Sequence, residues 1–466
     1  EGDLAIAAMC TDEPGVLIGA HRGRELHIGI HTSGHLLVSD PAACGHLTSR
    51  FVTLADEEVA VVVPDGYYIL DSRRGLVGRH ELRLDELALD TELDGFPHYM
   101  LKEIHQQPAV LRNAMDGRLI RDQASSVLRG LGLDHTETAR IERLVLVGCG
   151  SSRYAAGVGK CLIEDLAGVF VDVELAGEFD DRRRILPERC LVGALSQSGE
   201  TAATLAAVRE ARRRGARVFG IVNVPHSSLA RECGRGICLN AGPEISMAAT
   251  KSFTSQVVVL ALLALYLGRE RGLSIDRGHG IIADLEALAG RVSDVLGRPI
   301  PHAVIDRLAG ASSVFYLGRR YNHPVAEEGA LKLKEVSYVH AEGLHADEVR
   351  HGPLATLEPG RPVVAIATAQ TGIERMLHTV QAVRSRQAPV VLLATDGYKE
   401  AEALAEHVLY LPPVPEYLSP VTNVVMLQRL AYEVAKARGC EIDRPRSLVK
   451  SVSAGLPVPV PGDRGS

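Results

Sequence analysis

Three stretches of this chain hold residues whose types and spacing point to chemistry. The first is "LSQSGETAATL", residues 195–205, entered by the apolar run "CLVGAL" and left by a helical pattern. Within six positions Ser196, Ser198 and Thr201 offer hydroxyls, Gln197 offers an amide, and Gly199 lets a ligand come close to the backbone. At a strand end that opens a helix, unpaired N–H groups and the helix dipole favour an anion. Neutral donors of this kind suit the phosphate monoester of a small molecule. The pattern G-x-x-x-x-G-K-[ST] is absent, which speaks against a nucleoside triphosphate. The structural alternative is a well-capped helix, since Ser, Thr and Glu at these spacings are good caps. "GCGSS", residues 148–152, ends the preceding strand in the same way and would supply a second wall, with Ser152 as a contact.

The second stretch, "EEGALKLKEVSYVHAEGLHADEVRHGP" (327–353), is dense in ionisable groups. On a helix Lys332 and Glu335 share a face, as do Glu328 and Lys332. Ala330, Leu331, Leu333, Val336 and Tyr338 crowd the segment with apolar surface, although a solvated helix carrying ion pairs has the same spacing. A half-buried carboxylate beside a lysine can move a proton on a carbon α to a carbonyl. His340, His345 and His351 add groups that titrate near neutrality. None has the spacing of a zinc ligand pair, so no metal is expected. The third stretch, "DRPRSLVKSVSAG" (443–455), holds Lys450 among apolar neighbours. There it is either a nucleophile with a lowered pKa, able to attack a ketone, or an ordinary surface lysine.

These residues need elements to hold them. Residues 1–70 read as short strands separated by turn signals such as "DEPG" and "VPDG", a meander or sandwich pattern. Residues 71–96 are charged and weakly patterned and read as a linker. From Pro97 two helical patterns follow, "HYMLKEIHQQPAVLRNAM" and "GRLIRDQASSVLRGL", and then strands alternate with helices. That alternation predicts an α/β fold, with parallel sheets carrying helices on both faces. The segment "LVGALSQSGETAATLAAVREARRRGARVFGIVN" recurs as "VVAIATAQTGIERMLHTVQAVRSRQAPVVLLATD" at an offset close to 172 residues. Two sub-domains related by duplication are expected. In the second copy "SQSGET" has become "ATAQTG", so one site of this kind per chain is expected.

Composition narrows the class. The 466 residues allow two to three domains, and 46% apolar with 23% charged residues is ordinary for a soluble globular protein. A net charge of −7 speaks against nucleic acid as the partner. The longest apolar run, residues 257–267, is too short to span a bilayer, and no signal peptide is visible, so no membrane partner is expected. The eight cysteines form no C-x-x-C pair and read as buried free thiols in a reducing, cytoplasmic setting.

The motifs "SQSGET", "NAG-x-E" with "TK" (Asn240, Ala241, Gly242, Glu244, Thr250, Lys251), "EGALKLKE", "HAE", "HGPLA" and "PR-x-L-x-KSV" occur in that order. From about Pro97 to Val452 the chain resembles the glutamine–fructose-6-phosphate amidotransferases, whose synthase part has two sugar-isomerase (SIS) sub-domains. The resemblance implies the division 1–72 partial glutaminase domain, 73–96 linker, 97–288 and 289–442 the two SIS sub-domains, and 443–466 a C-terminal loop and tail. It implies that Ser152, Ser196, Gln197, Ser198 and Thr201 hold the phosphate of fructose 6-phosphate. Glu335 would shuttle a proton between C1 and C2, assisted by Lys332, and Lys450 would form a Schiff base with the open-chain ketose. His351, donated by the neighbouring subunit of a homodimer, would open the ring. Ammonia from glutamine would then give glucosamine 6-phosphate, with no cofactor.

Met247 and Ala249 stand where the family usually has Val and Ser, in a segment bordering the sugar. Residues 1–72 resemble the second half of the family's strand-rich glutaminase domain, of the N-terminal-nucleophile type. Its nucleophilic cysteine belongs to the first half, and Cys10 and Cys44 cannot replace it without a free α-amine. The chain, which opens on Glu1, is therefore expected not to hydrolyse glutamine. Two other functions share these motifs: a stand-alone glucosamine-6-phosphate deaminase or ammonia-dependent isomerase, and a non-catalytic sugar-phosphate-binding protein.

Overall fold

The strand Glu58–Val63 alternates buried and half-buried positions because successive side chains of a strand point to opposite faces. The computed structural model describes residues 4–22, 26–39, 41–44, 47–55, 58–71, 75–78, 81–83, 92–179, 181, 186, 189–368, 371–448 and 450. The chain separates into two units, one within residues 1–93 and one over Asp94–Val452. In the first, Leu4–Cys10, Glu13–Arg22, Glu58–Val63, Gly66–Asp71 and Gly75–Val77 form one antiparallel sheet in that order. Gly34–Val38, His27–His31, Arg50–Thr53 and Leu82–Arg83 form another. Ile28 and Val52 from one sheet meet Ala60, Val62 and Ile69 from the other in a common core, which makes a sandwich. Gly75–Val77 and Leu82–Arg83 thus add strands within the segment expected as a linker, while 84–91 and the expected tail at 451–466 lie outside the described residues.

The second unit contains the duplication. Its first sheet has the order Phe170–Leu175, Arg143–Gly148, Cys190–Ser196, Arg217–Val222, Gly236–Cys238, with every pairing parallel. The second repeats that order with His340–His345, Ser313–Gly318, Val363–Ala367, Val390–Thr395 and His407–Leu411. Central strands are apolar throughout because helices cover both faces; all seven residues of Cys190–Ser196 are buried. Val192 and Ala194 pack toward Leu205 and Val208 of the helix Ala202–Arg213. Leu191 and Leu195 join a core that also holds Val364, Ile366 and the long helices, so one interior serves both halves.

Two readings need correction. The pattern at 117–131 is not a helix: Gly117, Ala124 and Gly132 take left-handed backbone, and Leu119–Ile120 pairs antiparallel with Ser125–Ser126. The apolar run at 257–267 lies in the helix Lys251–Glu270, which is long and apolar enough to cross a membrane, yet 94% of its most apolar window is buried inside the protein. All eight cysteines are free, but only Cys190 and Cys233 are fully buried and Cys10 is exposed.

Candidate active site

The strand Cys190–Ser196 delivers Ser196 to the mouth of the first sheet, and the helix Ala202–Arg213 starts six residues later. Between them the hydroxyls fold the loop onto itself instead of capping the helix. Ser196 Oγ accepts the Gly199 N–H at 3.0 Å and lies 3.2 Å from Thr201 Oγ1, and Ser198 Oγ accepts the Glu200 N–H at 3.1 Å. Thr201, at the N-cap, makes no side-chain cap bond. Gly199 has φ +72°, and a Cβ there would sit 2.0 Å from Ser227 Oγ, so neither its backbone nor its surroundings admit a side chain. The loop is held from behind, since the Leu229 N–H donates to Gly199 O at 2.9 Å and the Ser228 N–H to Glu200 Oε1 at 2.8 Å.

Ser152 opens the neighbouring helix Ser151–Ala167 and is oriented by Gln256, whose Nε2 donates to its Oγ at 2.9 Å. Gln256 lies on Lys251–Glu270, the helix whose burial fixes it. A cavity of about 130 Å³ is lined by Cys149, Ser151, Ser152, Leu195, Ser196, Gln197, Ser198, Thr201, Glu244, Met247, Ala249, Glu335 and Lys450. Both strand ends therefore face one cavity. Met247 and Ala249 border it, and burial pushes the Cys149 thiol above its usual range.

The helix His323–Ser337 is not the solvated helix its charges permit. Lys332 and Glu328 are fully buried, and Glu335 keeps 23% exposure at the cavity. Lys332 Nζ lies 2.6 Å from Glu335 Oε2 and 3.4 Å from Glu328 Oε1, and it donates to Ser151 Oγ at 3.2 Å. Ser151 Oγ in turn donates to Glu328 Oε1 at 3.0 Å, which ties this helix to the cradle wall. Burial pushes Glu328 up to about 7 against the pull of Lys332. For Lys332 burial favours the neutral amine, but Glu328 and Glu335 outweigh it and hold the lysine above its usual range. It stays a cation that orients Glu335.

Lys450, exposed as a residue, reaches back so that its ammonium donates to Ser246 O. Its sequence neighbours are apolar, yet in space it acts electrostatically on Glu103 and Glu244. Glu244 is fully buried. Desolvation raises its pKa, but Lys450 and hydrogen bonds from Thr250 N, Ser252 N and Ser252 Oγ hold it below the usual carboxylate range. His351 ends the 3-10 turn Ala346–His351, is exposed and lies apart from the cavity-lining residues. Sequence reasoning assigned no part to Glu103, Gln256 or Ser151, and named Glu328 only as sharing a helical face with Lys332. Of the first three, Ser151 alone carried a local signal, its place in "GCGSS".

With this geometry in view, the comparisons with known proteins are direct. Residues 138–266 and 307–438 match the family described as SIS domain, one match for each parallel sheet. The glutamine–fructose-6-phosphate aminotransferase (isomerizing) of Chlorobaculum tepidum is 39% identical over 456 residues, covering 97% of this chain and 74% of the relative. The similarity thus takes in the strand-rich unit as well. Among solved structures, the C-terminal domain of the Francisella tularensis glucosamine-fructose-6-phosphate aminotransferase matches with TM-score 0.71 and 32% identity, over 76% of this chain and all of that one. A glucosamine-6-phosphate deaminase from Thermotoga maritima matches with TM-score 0.57 and 25% identity, over 76% of this chain and 99% of its own. Two tandem SIS sub-domains with a buried lysine–carboxylate triad beside the cradle, continuous in sequence with those relatives, make this chain a member of the isomerising glutamine–fructose-6-phosphate aminotransferase family.

Proposed function

We propose that the chain converts fructose 6-phosphate and ammonia into glucosamine 6-phosphate, carrying the isomerase and synthase part of that reaction. The observation that carries this reading is the joint lining of one cavity by the hydroxyl cradle, Glu335 and Lys450, drawn from residues 152 to 450. Ser152, Ser196, Gln197, Ser198 and Thr201 hold the phosphate and fix the distance at which the sugar carbons lie. The Lys450 amine adds to the C2 carbonyl of the open-chain ketose, water leaves, and a ketimine forms. Ammonia then adds at C2 and releases the lysine. Glu335 takes the C1 proton, carries it as the neutral acid and returns it at C2, giving the 2-amino aldose phosphate, while the Lys332 ammonium keeps its carboxyl group aimed at the two carbons.

In this reading His351 opens the sugar ring in the site of a second subunit, so the working unit is a homodimer in the cytoplasm. The chain divides into a glutaminase-like segment (1–72), a linker (73–96), SIS halves at 97–288 and 289–442, and a closing loop and tail (443–466). The test is amino-sugar formation from fructose 6-phosphate, with free ammonia and glutamine as separate nitrogen sources. Product from neither source overturns the reading. The likeness to the deaminase supports one alternative, the same chemistry run toward ammonia release, which the assay reads by starting from glucosamine 6-phosphate.

A further inference from the structure

The segment at 245–247, which carries the acceptor for Lys450, is gripped from two directions. Glu103, one turn into the helix Tyr99–Met115, accepts the Ile245 and Ser246 N–H groups on a single oxygen, the latter at 3.1 Å. Asp443 takes the next residue, its carbonyl accepting the Met247 N–H at 3.0 Å. The Asp443 carboxylate also accepts the Tyr99 and Met100 N–H groups at 2.9 Å each, which fixes the start of the helix that bears Glu103. Three consecutive N–H groups are thus held, and the carbonyl left over, Ser246 O, receives the Lys450 ammonium. The other Glu103 oxygen is buried with no hydrogen-bond partner among the described residues, as is Ser246 Oγ.

We propose that Glu103 is a positioning residue for Lys450, holding the 245–247 backbone so that the Ser246 carbonyl sets where the amine stands. This rests on the reading of Lys450 as the group that attacks the ketose. Glu103 is not among the residues that line the cavity, and it acts through the 245–246 backbone and through its charge. Its carboxyl shares this interior with Glu244 and Lys450. On its own helix Lys102 is turned to Asp94 at 2.8 Å, and on the helices packed against it Lys251 donates to Gln106 while Arg429 donates to the Val295 and Arg298 carbonyls. Burial and the Glu244 charge push Glu103 up to about 8, against the pull of Lys450 and the two N–H groups. Burial thus favours the neutral acid, of which Gln is the close mimic, and ionisation of Glu103 adds a second anion beside Glu244.

The test uses the full chain with fructose 6-phosphate, trapping the ketimine by borohydride and identifying the modified Lys450 peptide by mass. Glu103→Ala is expected to slow trapping and turnover by about 10- to 100-fold with KM changed less than about twofold, because placement and not binding is lost. Glu103→Gln restores trapping at pH 7 and removes the change of rate with pH near 8 that ionisation of Glu103 brings. Trapping by Glu103→Ala at the wild-type rate, or a pH profile of Glu103→Gln superimposable on that of the wild type, overturns the proposal. Should Glu103→Ala not fold, Glu103→Asp, whose shorter side chain leaves the two N–H groups, is expected to show the same loss in trapping. Absence of any trapped adduct in the wild type sinks the reading of Lys450 itself and is distinguishable from both.

Discussion

Lys332 holds two carboxylates at once, Glu335 at 2.6 Å on the cavity side and Glu328 at 3.4 Å on the buried side. One lysine therefore joins a carboxylate at the cavity to one shut off from solvent. Removing the cation leaves Glu328 buried without its counter-charge. Lys332→Met should destabilise the protein by about 3–5 kcal/mol, read by chemical denaturation. Adding Glu328→Gln should recover much of that stability but not the activity, because Glu335 still lacks its partner.

Stability should also depend on pH in a definite sense. Glu328 and Glu103 are pushed up from 4.5 to about 7 and about 8 in the folded chain. Between those limits these two groups bind more protons in the folded than in the unfolded chain, so their contribution to stability is full below pH 4.5 and is lost as pH rises through 7 to 8. His323, pushed down to about 4 by burial, acts in the opposite sense between about 4 and 6.5, so the decline stands clear above pH 6.5. Thermal melts from pH 6.5 to 8 should show it, and Glu328→Gln should flatten it. A steeper slope in that variant contradicts the assignment.

The cradle should tolerate no side chain at its turn. Gly199→Ala places a Cβ in left-handed backbone against Ser227 Oγ. A cost of about 1–3 kcal/mol is expected, together with weakened binding of fructose 6-phosphate by calorimetry. Wild-type affinity in that variant would exclude the loop from phosphate binding.

Shared sites predict complementation. If His351 serves the neighbouring subunit, His351→Ala and Lys450→Ala are each inactive as pure dimers. Mixed dimers carry one intact site, so after subunit exchange about a quarter of all sites should recover, from two-fold symmetry. No recovery in verified mixed dimers would place His351 and Lys450 in the same subunit's site.

The parts of this structure that could be read from the residues are those with a local signature. The cradle is six consecutive positions, and the duplication repeats a strand and a helix at a fixed offset, so both are visible in one dimension. Lys332 and Glu335 are legible as a pair because three residues make one helical face. Their burial is not legible there, since apolar neighbours and a solvated helix fit the same pattern. The grip of Glu103 on 245–246 had no local signal at all, because its partners lie more than 140 residues away. Gln256 is hidden in the same way, a polar residue inside an apolar helix that orients Ser152 from 104 positions on. The false helix at 117–131 came from an apolar period that Gly117 and Gly132 override with backbone no other residue takes as readily.

Asp443 caps a helix that starts 344 residues before it, and this sets an order of events during synthesis. The strands and helices that build the cradle are complete in sequence by residue 270, although their interior is shared with the second half of the unit. Asp443 and Lys450 follow about 180 residues later, roughly 10–35 s at ordinary elongation rates. During that interval the nascent chain holds the hydroxyl loop but neither the clamp on 245–247 nor Lys450. If the loop holds a phosphate as proposed, a sugar phosphate bound that early would stabilise the growing half by mass action without being consumed, a folding template before it is a reactant.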